Sequence, residues 1–260
     1  MNYLEQYYSN YDEEGRLLSR HGQVEYLTTI KYIQDFLNDD KSKRILEVGA
    51  GTGRYSVTLA QEGYQVDAVE LTEHNLAILR SKLTGKENLT AVRGNALDLS
   101  RYEDNLFDLT LVLGPMYHLY TKEEQTKALE EAIRITKPDG CIMVAYCMND
   151  AVAIQFAFMQ KQVKSLFEKN MLTEDFHCLS KPEDLFAMVR LEEIQELTAA
   201  LPVTRLKTIA TDGATNYMRK MVDEMDEETF DYWMKYHLST CERQDLIGAT
   251  NHSLDILLKN

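Results

Sequence analysis

Apolar residues fall in two kinds of run along the middle of the chain. Short unbroken stretches alternate with longer ones whose apolar positions recur every three or four residues. "RILEVG" at 44–49 predicts a buried strand, and "RYSVTLAQEG" at 54–63 a helix that stops at Gly63. "QVDAVEL" at 65–71 predicts a second strand, followed by a helix from Thr72, the expected N-cap, to Leu83. Two more strands are predicted at 89–94 and 106–114, then a helix over 122–136 with Ala128, Leu129, Ala132, Ile133 and Ile135 largely on one face. The turn Pro138-Asp139-Gly140 leads into "CIMVAYC" at 141–147, the fifth strand. Strand and helix in alternation imply a parallel sheet covered on both faces, with right-handed crossovers.

The flanks have a different character. Residues 1–37 predict a helical cap dense in tyrosine (Tyr3, Tyr7, Tyr8, Tyr11, Tyr26, Tyr32), ahead of a core at 38–148. Residues 149–200 show helical spacing rich in Met and Phe, among them Phe156, Met159, Phe167 and Phe186, and read as an insert. Residues 201–260 predict a strand at 203–211, helices at 214–225 and 228–240, and a last strand in "HSLDILLKN". No Pro/Gly/Ser-rich linker interrupts the chain, so 1–260 is expected to form one domain.

Composition narrows the partners. Among 260 residues, 42 carboxylates face 28 basic side chains for a net charge of −14, which argues against a nucleic-acid partner held through its phosphates. The polar, acidic N-terminus resembles neither a signal nor a transit peptide, and no apolar run is long enough to span a bilayer. The cysteines, Cys141, Cys147, Cys178 and Cys241, show no metal-ligand spacing. Reduced thiols, a cytoplasmic location and no metal centre are the expectation, with the oligomeric state left open.

The candidate chemistry sits in the loop after the first strand, where Gly49, Gly51 and Gly53 let a ligand lie against bare backbone. Such a loop alone fits nicotinamide and flavin binders, or simply a tight strand-to-helix turn. Glu47, at the base of the loop, opposes a diphosphate but suits an ammonium or sulfonium. Glu70, at the end of the second strand, can accept both hydroxyls of a ribose. Asn95, after the third strand, can bond an adenine edge. The ligand implied is an adenosine carrying an amino-acid tail.

In order and spacing, "LEVGAGTGRYS", "VDAVEL", "GNALDL", "NLFDLTLVLGPMYHL" and "KPDGCIMVAY" resemble the successive motifs of class I S-adenosylmethionine-dependent methyltransferases, over residues 40–150. The resemblance implies an α/β fold, a Rossmann-like, doubly wound, mostly parallel seven-stranded sheet whose last strand is antiparallel, and S-adenosyl-L-methionine as cofactor. It implies Glu47, Gly49, Ala50, Gly51 and Gly53 at the methionine end, Glu70 on the ribose with Leu71 in the same cofactor set, Asn95 and Ala96 at the adenine, and Leu113 near the sulfonium.

Methyl transfer from a sulfonium is an in-line displacement in which orientation alone is worth ~7 kcal/mol or more. A base is needed only for a protonated acceptor. In "LGPMYHLY", His118 is the candidate base or else a hydrogen-bonded brace, and Tyr117 directs the acceptor or merely packs. Tyr7, Tyr8 and Tyr11 close over the cofactor or form only an amphipathic cap. Tyr8, Tyr11 and Tyr146 are the candidate substrate contacts. No Asn-Pro-Pro-Tyr or Asp-Pro-Pro-Tyr and no cysteine follows the fourth strand, and Gly114-Pro115-Met116 stands where metal-dependent catechol-type enzymes carry Asp, leaving Asp150 without a metal partner. His21, His74, His177, His237 and His252 receive no role. The function expected is methylation of a small molecule. Methylation of RNA or protein, or sensing of the cofactor without chemistry, are the alternatives.

Overall fold

The computed structural model describes residues 3–260. Its sheet contains β1 (Arg44–Val48), β2 (Gln65–Glu70), β3 (Leu89–Arg93), β4 (Phe107–Val112), β5 (Thr136–Met148), β6 (Met188–Val189), β7 (Val203–Ala210) and β8 (His252–Lys259). The order is β3-β2-β1-β4-β5-β8-β7, with β6 added beside the end of β5. Strands β1 to β5 run parallel, and β8 lies antiparallel between β5 and β7. The doubly wound sheet with an antiparallel last strand is therefore present, and the two-residue β6 makes eight strands where seven were expected.

Burial on both faces explains the unbroken apolar runs. Leu46, Val48, Phe107, Ile142 and Val144 pack on one side with Leu129 and Ile133 of the helix Lys122–Ile135. Ile45, Leu109, Leu111 and Met143 pack on the other with Ile33 and Leu37 of the helix Arg20–Leu37 and Leu59 of the helix Arg54–Gln61. The direction of winding reverses between β1 and β4, so the loops after these strands flank an open crevice.

Several local expectations change. The helix after β2 runs Glu73–Ser81, short of Leu83, and Thr72 precedes it without a side-chain cap. The Thr72 hydroxyl donates instead to Glu70 Oε1 at 2.7 Å. β5 already pairs with β4 at Thr136, then bulges through the predicted turn, where Asp139 adopts φ 59°, and resumes pairing at Cys141. The insert is not a run of regular helices. It comprises the helix Asn149–Val152, a π-helical turn Ala153–Met159, and the helices Val163–Glu168 and Leu191–Thr198. Between the last two the chain is irregular, with Asn170, Phe176 and Leu185 at positive φ. Phe156, Phe158, Met159 and Phe167 stay exposed, so they do not form a core against the sheet. Among the described residues no helix is long and apolar enough to cross a membrane, and all four cysteines are free.

Candidate active site

The glycine loop is clamped to the neighbouring strand. The N–H groups of Gly49 and Ala50 both donate to the Val69 carbonyl, at 2.8 and 3.1 Å. At Gly49 φ is 74°, and a Cβ there would stand 2.6 Å from Cδ of Pro115. At Gly53 φ is 84° and a Cβ would stand 2.6 Å from Cγ of Leu79, so this glycine lets the helix Arg54–Gln61 begin against its neighbour. The crevice above the loop is a cavity of about 340 Å³. Of the expected cofactor residues, Gly49, Gly51, Glu70, Leu71, Asn95 and Ala96 line it, with Tyr117 and His118.

Glu70 is buried rather than open at the strand end. Its carboxylate accepts from Gly51 N at 2.8 Å and from Thr72 N at 2.8 Å as well as from the Thr72 hydroxyl. Asn95 is held by Leu97 N, which donates to its Oδ1 at 3.0 Å. Sequence reasoning missed Asn75. This residue is 2 % exposed on the cavity wall, and its Oδ1 has no hydrogen-bond partner among the described residues. An unmet acceptor beside a glycine cradle and a braced carboxylate fits a ligand rich in N–H and O–H groups, as an adenosine is.

Four expected cofactor residues stand behind the wall. Glu47 is 2 % exposed and accepts from the backbone N–H of Ser56 at 2.9 Å and from the Ser56 hydroxyl. Burial pushes its carboxyl up to about 7. It anchors the start of the following helix and does not face the crevice. Ala50 packs against Ala68 and Leu79, Gly53 serves the helix start, and the Leu113 side chain joins the core under β4. Tyr146 is likewise a correction among the substrate residues. It is 1 % exposed within the core, because the strand alternation of β5 turns it away from the cavities, and its hydroxyl has no partner among the described residues.

Of the N-terminal cap, Tyr3, Leu4 and Tyr8 line the crevice, whereas Tyr7 and Tyr11 do not. The helix Tyr3–Tyr8 is fixed where Glu5 accepts from the N–H of Glu73 at 3.0 Å, a carboxylate at a helix N-terminus. Tyr8 donates its hydroxyl to His118 Nε2 at 2.9 Å, while His118 Nδ1 donates to the Leu185 carbonyl at 2.7 Å. Both ring nitrogens are thereby engaged, and burial pushes the imidazole down to about 4. In this geometry the ring links the cap to the Leu185 segment, with neither nitrogen free. Tyr117 donates to the Leu113 carbonyl at 2.9 Å, and burial holds its phenol neutral.

A second cavity, of about 780 Å³, opens on the other side of the cap. Tyr8, Glu13 and Tyr117 line both spaces, so the two meet at these side chains. Tyr7, Tyr11, Phe156 and Phe186 supply apolar wall. A chain of half-buried charges, with Asp212 fully buried among them, crosses it. Arg16 donates to Glu13 at 3.2 Å and to Glu25 at 2.8 Å, and His252 Nδ1 lies 3.4 Å from Glu25 and 3.0 Å from Asp212. Glu25, Asp212 and His252 bring three potential metal donors within 4.8 Å of one another. The Arg16 guanidinium already engages Glu25, and the neighbouring carboxylates keep the imidazole protonated by raising it well above the usual histidine range despite burial. The cluster thus carries its own cations. Its members lie far apart in the chain, and no local pattern marks His252 as a site residue.

A glycine cradle and an acidic strand end thus stand together at the switch point of this sheet, where an open parallel sheet binds its ligand. Residues 45–140 match the model of a methyltransferase domain family. The chain is 31 % identical over 137 residues to the demethylmenaquinone methyltransferase of Clavibacter sepedonicus, covering 52 % of this chain and 53 % of that protein. It is 24 % identical to the ubiquinone biosynthesis O-methyltransferase of Rickettsia felis over 85 % of each. The match thus spans about half the length of the first of these relatives and most of the second. A solved Thermotoga maritima structure, described as a methyltransferase and possible histamine N-methyltransferase, shares the fold with a TM-score of 0.58 at 18 % identity, covering 99 % of both chains.

Proposed function

We propose that the protein is an S-adenosylmethionine-dependent methyltransferase acting on a small molecule. The observation that carries this reading is the meeting of two cavities at Tyr8, Glu13 and Tyr117, one lined by the glycine loop and the other large enough for a separate acceptor. When bound, the cofactor supplies a methyl group already activated on a positive sulfur. The chain's own contribution is then alignment. Glu70 and Asn75 would hold hydroxyl and amine groups of the cofactor in the smaller cavity, with Asn95 beside them. Tyr117, tied to Leu113, and Tyr8, tied to His118, form a fixed collar between the two spaces. The relatives named for demethylmenaquinone and ubiquinone biosynthesis support a small acceptor. The free cysteines suit a reducing compartment such as the cytoplasm. The test is incubation with donor labelled in its methyl group and a fractionated metabolite mixture. A labelled small product is expected. A protein that binds S-adenosylhomocysteine and labels no fraction would overturn the catalytic reading.

A further inference from the structure

The larger cavity has a chemical polarity that goes beyond its size. Glu13, on the helix Glu13–Arg16, stands where the two cavities meet, with its Cγ 3.7 Å from the position of a Cβ on Gly51. One carboxylate oxygen accepts from Arg16 Nε at 3.2 Å. Arg16 is shared with Glu25, and Glu25 and Glu70 add further negative charge around Glu13. Burial, with these two carboxylates, raises the Glu13 carboxyl above its ordinary value against the opposing pull of Arg16. The junction therefore holds one guanidinium, Arg16, against the three carboxylates Glu13, Glu25 and Glu70. Aromatic rings surround it: Tyr7 stacks on Tyr11 with centroids 4.9 Å apart, and Tyr7 and Tyr117 each meet Phe186 at 5.9 Å. A carboxylate among aromatic faces is the environment that stabilises an ammonium.

Elsewhere on the same wall, Asn216 is 4 % exposed, and Arg219 Nη2 donates to its Oδ1 at 2.6 Å. That bond fixes the amide orientation, because guanidinium only donates. The Nδ2 donor is then left without a partner among the described residues, a costly arrangement unless a ligand supplies an oxygen.

We propose that this cavity takes an amine as methyl acceptor, with its nitrogen at Glu13 and an oxygen of its far end at Asn216. The inference rests on the methyltransferase reading and names the substrate class of that site. The ammonium gives a proton to the Glu13 carboxylate, breaking N–H and forming O–H. The freed lone pair forms the N–CH3 bond as the CH3–S bond breaks, and the electron pair of that bond stays on sulfur as a neutral thioether. The methylated ammonium leaves, and Glu13 returns its proton to solvent.

The test is calorimetric titration of the protein saturated with S-adenosylhomocysteine, using hexylamine, 6-aminohexanoate and hexanoate. Both ammonium compounds are expected to bind at least about tenfold more tightly than hexanoate, with 6-aminohexanoate the tighter of the two. Glu13→Gln should abolish the preference for amines while S-adenosylhomocysteine still binds, which also reports that the variant is folded. Asn216→Ala should erase the difference between the two amines. Should Glu13→Gln not fold, Glu13→Asp, which withdraws the carboxylate by one methylene, should weaken the preference. Hexanoate binding as tightly as the amines, or an amine preference that survives Glu13→Gln, would overturn the inference. Failure of wild-type protein to bind S-adenosylhomocysteine would instead overturn the methyltransferase reading beneath it.

Discussion

The Tyr8 hydroxyl donates to Nε2 of His118 across 2.9 Å, and this bond joins the N-terminal cap to the loop after β4. Because the Leu185 carbonyl only accepts, Nδ1 carries the proton and Nε2 the lone pair. One imidazole thus ties together the cap, the loop and the insert. Tyr8→Phe removes the donor and leaves a buried nitrogen unmet, at a cost of about 1–3 kcal/mol. Amide exchange over residues 3–8 should accelerate in that variant. Unchanged protection there would show that the bond does not hold the cap.

The same imidazole gives a signed pH dependence. Burial lowers its value in the folded protein from 6.5 to about 4, so between those values the unfolded chain binds more protons. The stability it contributes is complete above pH ~6.5 and falls as pH drops toward 4, by on the order of 3 kcal/mol. His252 has the opposite sign, since its raised value contributes stability that persists in acid. Denaturant titrations at stepped pH should show a shallower acid loss in His118→Gln than in wild type. Parallel curves would contradict the assignment.

Glu47 runs the other way for a carboxylate. Its folded value near 7 means that the folded protein holds the extra proton, so its contribution declines as pH rises from ~4.5 to 7. Glu47→Gln keeps acceptors for Ser56 and removes the buried charge. Its melting temperature should exceed that of wild type at pH 8 but not at pH 5, with S-adenosylhomocysteine affinity within about threefold. A large affinity loss would return Glu47 to the ligand site.

Glu70→Ala should damage both fold and site. It strips the partners from Gly51 N, Thr72 N and the Thr72 hydroxyl. The expected cost is about 1–3 kcal/mol of stability, together with roughly tenfold weaker binding of the cofactor product. Lost affinity with an unchanged melting curve would mean that Glu70 does not brace the loop.

The parallel core was legible because β1, β2, β4 and β5 are buried on both faces, and such strands leave unbroken apolar runs. The glycine loop was legible because its conformations demand glycine. Glu47 was misread because spacing gives a residue's place on a strand, whereas the direction of its carboxylate was decided by Ser56, a tertiary partner. Tyr146 was misread because it lies on the face of β5 that strand alternation turns into the core. Asn75, Glu13 and the Arg16–Glu25–His252–Asp212 chain were not legible at all. Their meaning arises only when the cap, the core and the closing segment come together. The insert misled because helical spacing in "AIQFAFMQKQVKSLFEKNM" says nothing of the breaks at Lys161 and Asn170, both at positive φ.

The crevice beside Gly49, Gly51 and Glu70 is expected to hold an adenosine with an amino-acid tail. Calorimetric titration with S-adenosylmethionine or S-adenosylhomocysteine tests it most directly. Saturable heat with a dissociation constant in the micromolar range, roughly −8 kcal/mol, is predicted, with none from NAD. Heat with NAD and none with either sulfur-containing nucleoside would contradict the account.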